Sequence, residues 1–156
     1  MNNLKTCKQK GLVTVEFAII GSVFIIILFA IIEMGRFLYT WNILDEVTRR
    51  ASRLAAVCPM SQVNDVRENA ALDAPGMASL NGTHVSIEYL NSNQVTTAIL
   101  EEVRYVRSSI QGYQYQLLIP LLPLPPFNAS AFTTTLPSES LGITAPGSWS
   151  VDCTGA

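Results

Sequence analysis

Residues 17–32, FAIIGSVFIIILFAII, are sixteen consecutive positions without a charge, and no other feature of the chain restricts its fold as much. With the four residues Val13, Thr14, Val15 and Glu16 and Leu12 before them, they form a 21-residue stretch, 12–32, that carries the single charge Glu16. At about 1.5 Å per residue, a helix of that length spans roughly 30 Å, the thickness of a bilayer's hydrocarbon core. A buried helix of a soluble protein shows a polar stripe with a 3.6-residue period. None is present between Phe17 and Ile32. The apolar share of the whole sequence, 49%, is high mainly because of this block.

A cleaved secretory signal is the rival reading, because Lys5, Lys8 and Lys10 resemble a basic n-region. The apolar block is long for an h-region, however, and the following EMGRFLYTWN has no small-x-small cleavage site. The helical pattern runs on instead. From residue 33 to 58 there is no proline and one glycine, Gly35, and Phe37, Trp41, Leu44, Val47, Ala51, Leu54, Ala55 and Cys58 follow one helix face. Asp45 with Arg49 and Glu46 with Arg50 stand at the favourable i,i+4 spacing. Pro59 stops the helix. One helix over 12–58 is predicted, half in the membrane (12–32) and half an amphipathic stem outside it (33–58), whose apolar stripe packs on the chain's own domain or also on neighbouring subunits.

Residues 59–156 read as one small domain. Ser61 is expected to cap a short helix over 62–72, with Val63, Val66 and Ala70 on one side. Alternation at Val85, Ile87 and Tyr89, at Val103 and Tyr105, and at Tyr113, Tyr115 and Leu117 predicts strands, with 96–102 either strand or helix. The fold class expected is α+β, a small antiparallel sheet laid on the stem helix. The stretch 117–127, LLIPLLPLPPF, is too short and too rich in proline to span a membrane. It is expected to be an apolar edge or loop of the domain, or a subunit or adhesive contact.

Several functions find no support. A net charge of -2, with basic residues confined to short clusters, is no nucleic-acid footprint. One histidine, His84, and three cysteines without CxxC spacing cannot assemble a Cys/His metal site. There is no phosphate-binding glycine loop, no HExxH and no GxSxG. His84 is expected to be structural or exposed, and Glu101 and Glu102 to be a solvated pair. Neither an enzyme nor a cofactor is expected.

The front of the chain is more specific. In KQKGLVTVEF a basic stretch ends at Gly11, four uncharged residues follow, and Glu16 and Phe17 open the apolar helix. This resembles the processing site of type IV pilin-like proteins, and in its Glu-aromatic pair the tight-adherence (Tad) subclass. EMGR at 33–36 and RRASRLAAVC at 49–58 are similar to segments of the TadE-like pseudopilins, as, more loosely, are IPLLPLPPF at 119–127 and LPSESLG at 136–142. The resemblance implies a minor pilin or pseudopilin needed for assembly of an adhesive pilus in surface adherence and biofilm formation. A prepilin peptidase would cut after Gly11, removing a basic leader, 1–11, and exposing the amine of Leu12. Glu16, costly in a bilayer, would pair with such an amine and register one subunit on another. Implied partners are the peptidase, the major pilin and other pseudopilins, and the inner-membrane assembly platform, beside the lipid bilayer itself.

Loss of Cys7 with that leader would leave Cys58 and Cys153 in a compartment where disulfides persist, and a bond between them would close a loop of roughly 95 residues. The implied location is the inner membrane, single-pass, N-terminus cytoplasmic, with the C-terminal domain outside the cytoplasm and the subunit either in the pilus or only assisting its assembly. An uncleaved bitopic protein whose outer domain binds a ligand or scaffolds an envelope complex is the alternative.

Overall fold

A computed structural model describes residues 10–72, 77, 80–117, 127–128, 132–143 and 153–154. A single helix, α1 (Lys10–Val57), runs through both the apolar block and the stem for 48 residues. Valine and isoleucine are mediocre helix formers in water. Where no solvent can satisfy the backbone, however, the helix is the structure that bonds every N–H and C=O within one segment. The apolar half stands clear of the rest of the molecule: Phe17, Ile20 and Phe24 are 77%, 62% and 63% exposed. One long apolar N-terminal helix of this kind fits a single-pass membrane protein.

Pro59, which has no N–H to donate, ends α1 after a last helical bond from Cys58 N to Leu54 O (2.8 Å). The carbonyls left open at this terminus are closed from far along the chain. Glu139 N and Leu141 N donate to Ala56 O, while Gly142 N (2.7 Å) and Ser140 Oγ (3.1 Å) donate to Val57 O. The chain then makes a one-turn 3₁₀ helix, Met60–Gln62, and enters α2 (Val63–Leu72). Ser61 caps nothing here: it lies inside the 3₁₀ turn, whose N-cap is Pro59 without a side-chain bond. Proline's fixed φ sets the turn without a hydroxyl.

The sheet follows. Strand β1 (Val85–Leu90) pairs antiparallel with β2 (Tyr105–Ile110), Val85 opposite Ile110 and Leu90 opposite Tyr105. Strand β5 (Thr133–Pro137) pairs on the other side of β2, giving the order β1-β2-β5. A second ribbon joins β3 (Gln114–Tyr115) to β4 (Phe127–Asn128). The three-stranded sheet covers the outer half of α1, with α2 beside it. Val85, Ile87 and Tyr89 of β1 face this core as expected. The α+β architecture of the sequence reading is present.

Strand β2 runs in the opposite phase to the expectation. Val106, Ser108 and Ile110 point inward, Tyr105 is 39% exposed, and Val103 is buried before the strand begins. The reason lies on α1, where Thr48 and Ser52 are fully buried among Leu44, Val47, Ala51 and Ala55. Ser108 Oγ donates to Thr48 O (2.5 Å) and meets Ser52 Oγ at 2.6 Å, and Ser52 Oγ donates to Thr134 O of β5 (3.1 Å). Small hydroxyl residues let the sheet approach the helix closely, and each finds its partner there. Residues 96–102 form a bridge at Thr96 and a 3₁₀ turn, Leu100–Glu102.

Candidate functional site

The N-terminal motif is displayed on the exposed end of α1. At Gly11 a Cβ would meet no atom within 4 Å, so packing within the chain does not call for glycine there. Glu16 stands one helical turn beyond Leu12, which puts the two on the same face. The side chains of Glu16 and Phe17 are exposed, and among the described residues no hydrogen bond or ion pair reaches Glu16. The structure thus presents Glu16 as a carboxylate on an apolar rod with its bonding capacity directed outward.

The junction between the apolar half of α1 and the C-terminal domain is built quite differently. Glu33, the first charge after the apolar run, is 8% exposed. Its Oε1 accepts from the hydroxyl of Tyr115 on β3 at 2.7 Å, and its Oε2 lies 3.1 Å from Arg36 Nη1. The Arg36 guanidinium also sits 5.8 Å from the Tyr115 ring centre. Phe37 meets Tyr115 edge-on at 5.6 Å, and Trp41 meets Phe132 edge-on at 4.6 Å. With Leu44 and Tyr113, these rings line a narrow apolar crevice. Burial, and then the neighbouring Glu33 carboxylate, push the Tyr115 hydroxyl up to about 12.

Cys58, at the end of α1, is bonded to Cys153, with Cα atoms 6.0 Å apart and a sequence separation of 95. Asn69 Nδ2 donates to Cys153 O and Cys153 N donates to Gln62 Oε1, both at 3.0 Å, so the late segment is also held to α2 and the turn before it. Cys7 and most of the proline-rich stretch, 118–126, lie outside the described residues. His84 serves structure: its Nδ1 lies 2.8 Å from Asn81 Oδ1 in a capping box around the 3₁₀ turn Gly82–His84. Glu102 accepts from Thr97 Oγ1 at 3.1 Å on the surface. Among the described residues no group of three or more His, Cys, Asp or Glu is placed to hold a metal ion.

Sequence reasoning missed the Glu33, Arg36 and Tyr115 cluster. The available signal was a carboxylate directly after a membrane-length apolar run, in EMGR, where an unpaired charge is costly.

The model of the TadE-like protein family matches residues 11–53. Over that span the chain is similar to the TadE-like family, which is consistent with a TadE-like pilin of the Tad system. The matched span starts at Gly11, contains Glu16, Phe17, Glu33 and Arg36, and stops at Arg53, within the stem half of α1. It leaves the sheet unmatched. No curated protein and no solved structure matches the chain. Similarity to this family over residues 11–53 suggests involvement with the Tad pilus machinery.

Proposed function

We propose that the chain is a minor pilin or pseudopilin of a Tad-type pilus, processed by a prepilin peptidase after Gly11 and needed for pilus assembly in surface adherence and biofilm formation. The observation that carries the reading is the TadE-like match beginning at Gly11, on a helix whose apolar half is exposed throughout. Gly11 supports it further, since no neighbour among the described residues demands glycine there while a protease subsite that accepts only a hydrogen would. On this reading the helix lies in the inner membrane over 12–32, with its N-terminus cytoplasmic and the domain from 59 onward outside. Its partners are the peptidase, the major pilin, other pseudopilins and the assembly platform.

The test is the fate of Gly11. Intact-mass analysis of the membrane form is expected to find a chain beginning at Leu12, and Gly11→Asp, which adds bulk and charge, is expected to leave the full-length form and abolish pilus-dependent adherence. Normal adherence by uncleaved protein would overturn the reading.

A further inference from the structure

Glu33 divides the exposed apolar surface of α1 only on paper. On the face beside the C-terminal domain, Ile27, Ile31, Met34, Leu38 and Trp41 follow one another at spacings of four and three, one continuous helical stripe. Met34, Leu38 and Trp41 remain 58%, 51% and 40% exposed, and the stripe ends at Asp45. The carboxylate beside it is withdrawn from the surface, bonded to Tyr115 and paired with Arg36. A charge so enclosed need not mark the edge of the hydrocarbon.

The next charge along the helix is Arg36, whose head turns back onto the Glu33 carboxylate at 3.1 Å, so that the two charges form one pair. Taking Glu16 and Arg36 as the two boundary charges leaves residues 17–35, which span roughly 28 Å as a helix and match the hydrocarbon core. Trp41 then stands about 7 Å above Arg36, in the headgroup layer where tryptophan and tyrosine concentrate. Because Tyr115 bonds Glu33 directly, β3 is drawn down to the same level, and no length of bare stem separates domain from bilayer.

We propose that the C-terminal domain is seated on the membrane, with the Glu33, Arg36 and Tyr115 cluster at the hydrocarbon boundary and the stripe Met34, Leu38 and Trp41 in contact with lipid. The occupant of this surface is the outer leaflet, which is continuous with the lipid around the apolar half of α1. The inference rests on the reading that α1 crosses a membrane, and it moves the crossing from 12–32 to the stretch between Glu16 and Arg36.

Tryptophan fluorescence tests it, since the chain has two tryptophans, Trp41 and Trp149. The full chain carrying Trp149→Phe is reconstituted in phosphatidylethanolamine and phosphatidylglycerol vesicles doped with phosphatidylcholine brominated at shallow or deep acyl carbons. Trp41 is expected to lose most intensity to the shallow bromines, less to the deep ones, and little to aqueous iodide. Leu38→Trp in a chain lacking both native tryptophans is a second probe, expected to shift the quenching one turn deeper. Strong iodide quenching without lipid quenching would mean a domain standing off on its stem, and would overturn the proposal. So would protection from both quenchers that disappears as protein is diluted into lipid, because a second copy would then cover the stripe. Failure to float with the vesicles would instead overturn the membrane reading itself.

Discussion

The Tyr115 hydroxyl joins a strand to a carboxylate 82 positions earlier in the chain, and its worth is measurable. A hydrogen bond to a charged group contributes about 1.5–3 kcal/mol, so Tyr115→Phe is expected to lower stability by that order in denaturant titrations followed by Trp41 fluorescence. The pH dependence has a definite sign. Because the folded state holds the hydroxyl up at about 12 against an ordinary 10.0, the stabilisation is complete below pH 10 and is lost as pH rises toward 12. The phenylalanine variant is expected to lack that part of the alkaline decline. An unchanged decline would show that Tyr115 is not the group responsible. EMGR made Glu33 visible as the first charge after an apolar run, and alternation placed Tyr115 in a strand, but pairing between the two across such a distance leaves no local trace.

At the scale of elements, α1 was the most legible because apolar length and the breaker Pro59 are both local signals. How its C-terminus is closed was not, since the bonds come from residues 139–142. There Gly142 has φ +79° and a Cβ built on it would lie 2.4 Å from Pro59 Cγ, so LPSESLG has a structural reason for its glycine. Gly142→Ala is expected to cost at least about 1–2 kcal/mol from the left-handed backbone, more with the displacement of Pro59, seen as a lower denaturation midpoint. A midpoint matching the parent would mean that the turn is not held as described. The sheet was half legible. Strand β1 alternates cleanly, whereas β2 turns Ser108 inward and β5, TTTLP, offers one leucine. Hydroxyl residues read as surface in a sequence, yet here they are buried because α1 supplies matching hydroxyls and carbonyls.

For the whole molecule, the two ends of α1 face opposite physical problems. At its C-terminal end several strong groups are answered within the chain: Glu33 by Tyr115 and Arg36, the last carbonyls by 139–142, and Cys58 by Cys153, whose loop the chain-entropy model values at about 4–5 kcal/mol. At its N-terminal end Glu16 is exposed on an apolar rod. A charge at the centre of a membrane helix costs roughly 2.5–3.5 kcal/mol, less near the interface, so Glu16→Ala is expected to insert at least as well as the parent. On the proposed reading, a partner on another subunit would offset such a cost, and the amine that cleavage before Leu12 would expose is the cation that processing would create in every copy. Glu16→Ala is therefore expected to reduce crosslinking to pilin partners at equal membrane abundance, with Glu16→Asp intermediate because its carboxylate sits on a shorter arm. If the alanine variant crosslinks as well as the parent, Glu16 merely reaches for the headgroups and plays no part in registering subunits.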